Sequence, residues 1–112
     1  ISFLDINPLN YGHSLVIPKN HYENFLEVPS SELEMLIAVA QKVSNAVVRG
    51  VKPDGFNIVV NNGTAAGQSV FHFHLHIIPR FDDDKFKFHH NLKRYPEGDL
   101  KKYGEKIRFE IK

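Results

Sequence analysis

The sequence predicts an α+β domain in which one main helix packs on an antiparallel sheet of about five strands. Short stretches of alternating apolar and polar residues, separated by Pro, Gly and Asn turns, indicate the strands. One longer stretch carries apolar residues at helical spacing and indicates the helix. The 112 residues are 42% hydrophobic, which is enough for one buried core. We therefore predict a single domain over residues 1–112, in which residues 81–112 form a C-terminal extension.

Four of the strands are predicted from local alternation and turn signals. Residues 1–5 and 13–17 are separated by Asn and Gly turn residues and predict an antiparallel hairpin. Residues 56–60 alternate between apolar and polar positions and predict a third strand, and residues 107–111 predict a terminal one. Because the chain starts without methionine inside the first of these strands, we expect a further segment before it.

The main helix is predicted over residues 31–49. Ser31 and Glu34 have the spacing of a capping box, and Gly50 suits the position just beyond the C-terminus. The apolar residues recur at three- and four-residue intervals and form one stripe: Leu33, Leu36, Ile37, Ala40, Val43 and Val47. We assign this stripe to packing against the sheet. A second, shorter helix is predicted over residues 98–106.

Three histidines, His72, His74 and His76, alternate with apolar residues in the most distinctive segment of the chain. Alternation at period two predicts a strand that ends near Ile78, before Pro79. On a strand the three imidazoles share one face at intervals of about 6.6 Å, and the apolar residues cover the other face. Because histidine titrates near neutrality, three such residues suit proton transfer, nucleophilic attack or metal binding better than core packing.

Two kinds of site could use these histidines. Zinc enzymes take ligands from strand histidines, but three successive alternate positions lie far apart for one ion, and this strand supplies no acidic ligand. Alternatively, one imidazole attacks phosphorus as a nucleophile while its neighbours orient it and move protons. The small loop at residues 64–67, followed by Gln68 and Ser69, would then offer hydrogen-bond donors to phosphate oxygens.

Composition excludes several other classes of function. The formal charge of +1 provides no strong field for nucleic acid or an anionic membrane surface. The chain contains no cysteine, which excludes disulfides and thiolate catalysis. It also has no apolar run of membrane-spanning length and no visible signal peptide. We therefore expect a cytoplasmic protein with no nucleic-acid or membrane partner.

After the histidine segment the pattern weakens. Asp82–Asp84 predicts a solvated turn, and Phe86 and Phe88 predict a short strand or a packed arm. His89 and His90 are adjacent and would point to opposite faces of a strand, so we leave them outside the candidate site.

Residues 67–78 resemble the signature of the histidine triad family, His-φ-His-φ-His-φ-φ with φ apolar, preceded here by Gly-Gln-Ser. The resemblance extends to residues 3–8, 12–19 and 57–63, and so covers about residues 1–80. It implies a nucleotide-binding hydrolase or transferase that acts on adenylated or guanylated compounds. It also implies an antiparallel sheet with a helix, and a homodimer.

The resemblance assigns roles by position. It implies that His74 is the nucleophile that takes the nucleoside monophosphate, and that His76 contacts the phosphate and assists the leaving group. His72 and His13 would orient His74 through hydrogen bonds. The substrate-binding residues that it implies are Asn61, Gln68 and Ser69 for the phosphates or leaving group, Asp5 for the ribose hydroxyls, and Phe3 and Ile6 for the base pocket. From the residues alone, Asp5 could instead initiate the turn before Asn7-Pro8.

Members of the family carry a helix and a hairpin before the position of Ile1. In many bacterial-type members this segment includes a Cys-x-x-Cys pair for structural zinc, which His21 and His72 could complete. Because the cysteines are absent here, we predict no metal and no other cofactor for this chain. Without such a segment, the sequence does not determine whether the base pocket is complete or how the dimer is arranged.

The predicted activity is hydrolysis through a nucleotidyl-histidine intermediate, with release of a nucleoside 5′-monophosphate that we expect to be AMP. Phosphoramidate, acyl and phosphate leaving groups all fit, and the phosphoramidate type fits best because residues 67–69 and Asp5-Ile6 resemble that branch. Three alternatives stay open: a dinucleoside polyphosphate hydrolase, a purine-nucleotide-binding module with little turnover, and a metal-dependent enzyme.

Overall fold

The computed structural model describes residues 1–86 and 91–112. Its helices and strands are β1 (Ser2–Leu4), β2 (Ser14–Val16), α1 (Ser30–Val51), β3 (Gly55–Val59), β4 (Leu75–Arg80) and α2 (Asp99–Glu110). The sheet has the strand order β1-β2-β4-β3, and every neighbouring pair is antiparallel. The predicted class, an antiparallel sheet with one main helix, is confirmed, with four strands among the described residues.

Helix α1 covers one face of the sheet. Its buried side chains meet those of β2 and β4 in one apolar cluster, whose members include Val16, Leu36, Ala40, Val47, Leu75 and Ile77. Ile77 and Val16 have no exposed surface, so the centre of the sheet is the most deeply buried part of the core. The predicted apolar stripe of the helix is correct except for Ile37, which is 57% exposed.

The ends of α1 differ from the prediction. Pro29 occupies the N-cap position, and no side chain caps the first turn, so the expected capping box of Ser31 and Glu34 does not form. The helix also continues through Gly50. It ends at Val51, and the next residue, Lys52, takes the left-handed conformation at φ 56° and donates its backbone N–H to the Val48 carbonyl.

The histidine strand begins later and ends later than predicted. β4 spans Leu75–Arg80, so His72 and His74 precede it in an irregular segment. The Phe73 backbone N–H in this segment donates to the Tyr22 carbonyl at 2.6 Å. Pro79 lies inside the strand because β2 pairs only with Leu75 to Ile77, which leaves one strand neighbour at the proline.

The predicted terminal strand at residues 107–111 is wrong. Residues 99–110 form α2, because Leu100, Tyr103 and Ile107 also satisfy helical spacing and the alternation covers only five residues. No residue of α2 is buried. The predictions on Phe88, His89 and His90 lie outside the described residues. Within residues 1–86 and 91–112, no helix has both the length and the hydropathy to span a membrane.

Candidate active site

The sheet face opposite α1 carries the candidate site. Phe3 of β1 is paired with Leu15 of β2, which is paired with His76 of β4, so the three side chains form one row across the sheet. The Asp5 backbone N–H donates to the His13 carbonyl at 2.9 Å and continues the β1–β2 pairing. Because Asp5 and His13 lie two residues beyond Phe3 and Leu15, they share the face of His76.

His74 is held by the backbone of its own segment. Its Nδ1 lies 2.7 Å from the His72 carbonyl oxygen. A carbonyl only accepts hydrogen bonds, so Nδ1 carries the proton and the lone pair of the neutral ring lies on Nε2. The rings of His74 and His76 meet edge to face with their centroids 4.8 Å apart. The neutral tautomer of His74 that this contact selects presents Nε2 as an acceptor beside a second imidazole.

His13 and His76 form a hydrogen-bonded pair with a defined direction. Nε2 of His13 lies 2.9 Å from Nδ1 of His76. The Leu9 backbone N–H donates to Nδ1 of His13 at 3.2 Å, so the proton of His13 lies on Nε2 and is donated to His76. With Nδ1 accepting this bond, neutral His76 carries its own proton on Nε2. His76 is thus prepared as a hydrogen-bond donor on its other side.

Burial favours the neutral form of both rings. Desolvation lowers the pKa of His13, although the Asp5 carboxylate acts in the opposite direction. Desolvation also lowers the pKa of His76 to about 4, and repulsion from His74 and His13 adds to the shift. Neutral rings are the state in which the two directed hydrogen bonds can form.

Of the two predicted hydrogen bonds to His74, that of His72 is present and that of His13 is not. The His72 ring pairs with exposed His21, Nδ1 to Nδ1 at 2.8 Å, and only the backbone carbonyl of His72 contacts His74. His13 contacts His76 instead of His74. The sequence pattern indicates which residues share a face, but the ends of β4 decide which ring meets which.

Gln68 stabilises the loop between β3 and β4. Its side chain is 5% exposed, accepts from Gly63 N–H at 2.7 Å and donates to the Glu23 carbonyl at 2.7 Å. The Gln68 amide therefore braces the loop before the histidine segment, and the contact of Gln68 with phosphate or the leaving group stays a prediction. Asn61, at the start of this loop, lies beside Gly67. Ser69, near its end, is exposed.

The predicted nucleoside-binding residues Phe3, Asp5 and Ile6 lie in β1 and just after its end. Phe3 is 48% exposed and Ile6 is 91% exposed, so both side chains present apolar surface to solvent. Asp5 accepts the Asn7 backbone N–H on Oδ1 at 2.9 Å, so the turn-initiating role is present. Its Oδ2 lies 3.8 Å from Nε2 of His13, so the same carboxylate also faces the site.

Asp5, His13 and His76 also have the spacing of a metal site, with ligand atoms within 4.8 Å of one another. A metal ion bound between the two rings would have to displace the proton that His13 donates to His76. In this arrangement the hydrogen bond already satisfies the facing nitrogens, so the geometry favours proton relay over metal binding.

The low pKa of His76 predicts a pH-dependent stability. Between 6.5 and about 4 the unfolded chain binds a proton at residue 76 that the folded chain does not. The free energy of unfolding is therefore expected to fall as the pH falls through this window, by about 1–2 kcal/mol once solvent screening of this partly exposed ring is allowed for. Urea unfolding at a series of pH values across this window measures the change in the free energy of unfolding. In His76→Gln the fall should be smaller, and an unchanged pH dependence would contradict the assignment.

The fold and the histidine cluster define a histidine triad site. The family model described as the HIT domain matches residues 1–83, and the chain belongs to the HIT family. The adenylylsulfatase HINT3 of Arabidopsis thaliana is 45% identical over 95 residues, which are 85% of this chain and 48% of that protein. The chain spans about half of that relative's length.

Solved structures agree over nearly the whole chain. A HIT family protein from Bacillus subtilis superposes with a TM-score of 0.92 at 37% identity, covering 99% of this chain and 81% of that one. A histidine triad nucleotide-binding protein from Candida albicans superposes with a TM-score of 0.84 at 31% identity, covering 97% of this chain and 80% of that one. This chain therefore has the fold of a HIT family protein.

Proposed function

We propose that the protein hydrolyses adenylated compounds and releases AMP through a nucleotidyl-His74 intermediate. The observation that carries this proposal is the 2.7 Å contact of His74 Nδ1 with the His72 carbonyl, which directs the lone pair to Nε2. An imidazole prepared in this way is a nucleophile for phosphorus. Its neighbour His76 is prepared to donate a hydrogen bond.

The proposed reaction has two displacements at phosphorus. The Nε2 lone pair of His74 forms an N–P bond, while the bond to the leaving group breaks and its electron pair departs with that group. As this bond breaks, the Nε2–H of His76 gives its proton to an amine leaving group, or donates a hydrogen bond to a leaving group that departs as a stable anion. Water then attacks phosphorus, the N–P electron pair returns to His74, and one water proton restores His76 or, with an anionic leaving group, is released to solvent. The histidines are unchanged after a cycle.

The remaining roles in the proposal belong to substrate binding. Asp5 would accept the ribose hydroxyls on the carboxylate that faces His13, and Phe3 and Ile6 would offer apolar surface to the base. Asn61 and Ser69 would donate to phosphate oxygens from the loop before His72. The phosphoramidate, acyl and phosphate leaving groups all stay within the proposal. The name of the Arabidopsis relative supports an adenylyl substrate.

We also propose that the protein acts as a cytoplasmic homodimer. Apolar side chains on two elements support a partner of this kind. Phe56 and Ile58 of edge strand β3 are 43% and 51% exposed, and Leu100 and Ile107 of α2 are 68% and 64% exposed. Exposed apolar surface on an edge strand is a common site of association.

The test of the proposed function is a single-turnover reaction with an adenosine 5′-phosphoramidate, quenched and analysed by intact-protein mass spectrometry. We expect an adenylyl adduct that maps to His74 and decays to AMP. Folded protein that binds AMP but forms neither adduct nor product would overturn the proposal in favour of a nucleotide-binding module. Activity that is lost to a chelator and restored by metal would favour a metal-dependent enzyme.

A further inference from the structure

The loop between β1 and β2 determines where the proton of His13 lies. Its Leu9 N–H donates to Nδ1 of His13 at 3.2 Å, and its Asn10 carbonyl accepts the His13 backbone N–H at 3.0 Å. A shift of this loop by one hydrogen-bond length would release Nδ1. The His13 proton could then occupy either nitrogen, and the directed bond to His76 would be lost.

Asn10 ties this loop to the strand that carries His76. Its Nδ2 donates to the Pro79 carbonyl at 2.8 Å and to Oδ2 of Asp84 at 3.0 Å. Pro79 lies three residues after His76 on β4. Both amide hydrogens are therefore used to connect the loop that contacts His13 with the strand and segment that follow His76.

Asp84 is itself fixed as an acceptor. Arg80 donates to both of its carboxylate oxygens at 2.9 Å, and the Phe81 backbone N–H donates to Oδ2 at 2.9 Å. These bonds hold the pKa of the Asp84 carboxyl well below its usual range. The side chain is 7% exposed, so Asn10 meets an immobilised, ionised carboxylate.

We propose that Asn10 and Asp84 are positioning residues for the His13–His76 pair. They hold the Leu9 amide against His13, and so direct the His76 proton toward the leaving group. This role rests on the proposed function for its consequence in turnover, but the positions of the protons are a property of the protein alone. Neither residue is proposed to touch the reacting atoms.

The test combines nitrogen NMR of the histidine rings with kinetics of the Asn10→Ala variant. In the wild type we expect His13 and His76 to be protonated on Nε2, and in the variant we expect a mixture of both tautomers at each ring. The kcat for a phosphoramidate should fall by up to about 10²-fold, as for other misplaced catalytic groups, with KM essentially unchanged. The loss should be greater for basic leaving groups than for acidic ones.

A second pair of variants keeps the test decisive if Asn10→Ala does not fold. Asp84→Asn removes the negative charge of the group that accepts the Asn10 hydrogen bond, and it keeps the side-chain size. Asp83→Asn makes the same change at the exposed neighbouring residue. We expect mixed tautomers and lower kcat in Asp84→Asn and wild-type values in Asp83→Asn.

The proposal would be overturned if folded Asn10→Ala showed the wild-type tautomers. If Asn10→Ala does not fold, wild-type tautomers in Asp84→Asn would overturn it. Mixed tautomers with equal losses for all leaving groups would also overturn it, because they would show that the loop does not act through the His76 proton. A wild-type protein with ordered tautomers but no turnover would instead contradict the proposed function, so the two failures are distinguishable.

Discussion

Replacing His74 with alanine is expected to lower turnover by about 10⁴-fold or more, because the reaction would lose its nucleophile. The adenylyl adduct should disappear from the mass spectrum in the same variant. The fold should persist, since His74 lies outside the buried apolar cluster and precedes β4. We expect the free energy of unfolding to change by about 1 kcal/mol or less.

His21→Ala is the matched control for this variant. It also removes one imidazole, but the His21 ring contacts only the His72 ring in this cluster, and the carbonyl that holds His74 is untouched. The adduct should still form in His21→Ala and map to residue 74. A folded His74→Ala protein that retained the adduct, or turnover within about tenfold of wild type, would eliminate His74 as the nucleophile.

Much of the fold follows from periodicity. β3 and α1 are found close to their predicted positions because each has a clear local pattern. The β1–β2 hairpin is also found close to its predicted position, although the alternation in β1 is weak, because the turn residues mark it. The strand prediction for residues 107–111 failed for a physical reason, because a segment of five residues satisfies a strand pattern and a helical stripe equally well. Only the longer context from Asp99, which starts a helix with no buried residue, separates the two.

The sequence predicts that His13, His74 and His76 lie close together, but it does not predict the hydrogen bonds between them. Alternation places His74 and His76 toward one side, and the hairpin brings His13 near them. Which nitrogen carries each proton depends on the Leu9 amide and on the His72 carbonyl, which are backbone groups that every residue possesses. No side-chain pattern in the sequence identifies them.

Asn10 shows the same limit. In the sequence it is a turn residue, and its amide reaches a carboxylate 74 positions later only because β4 runs beside β2. Long-range partners of this kind require the strand order. Arg80 and Asp84, four residues apart after the histidine segment, were visible only as charges near a solvated turn.

The role of His76 predicts a second large effect, which depends on the leaving group. Its Nε2–H is proposed to stabilise charge on the leaving atom, so a poor leaving group needs it most. In His76→Gln we expect turnover of an amine-releasing phosphoramidate to fall by about 10²–10⁴-fold. Sulfate and carboxylate leaving groups depart as stable anions, so turnover of substrates that carry them should fall by about tenfold or less in this variant.

Glutamine suits this experiment because its side-chain oxygen can accept the proton of His13 in place of Nδ1, and the buried donor keeps a partner. The variant should therefore fold and still form the adenylyl adduct from a substrate with an acidic leaving group. That adduct is the internal control, since it shows that His74 and the binding residues are intact. Equal losses across amine, carboxylate and sulfate substrates would contradict leaving-group stabilisation and assign His76 to phosphate binding. Losses that grow with the basicity of the leaving group would place the His76 proton on the leaving side of phosphorus, opposite the nitrogen that attacks.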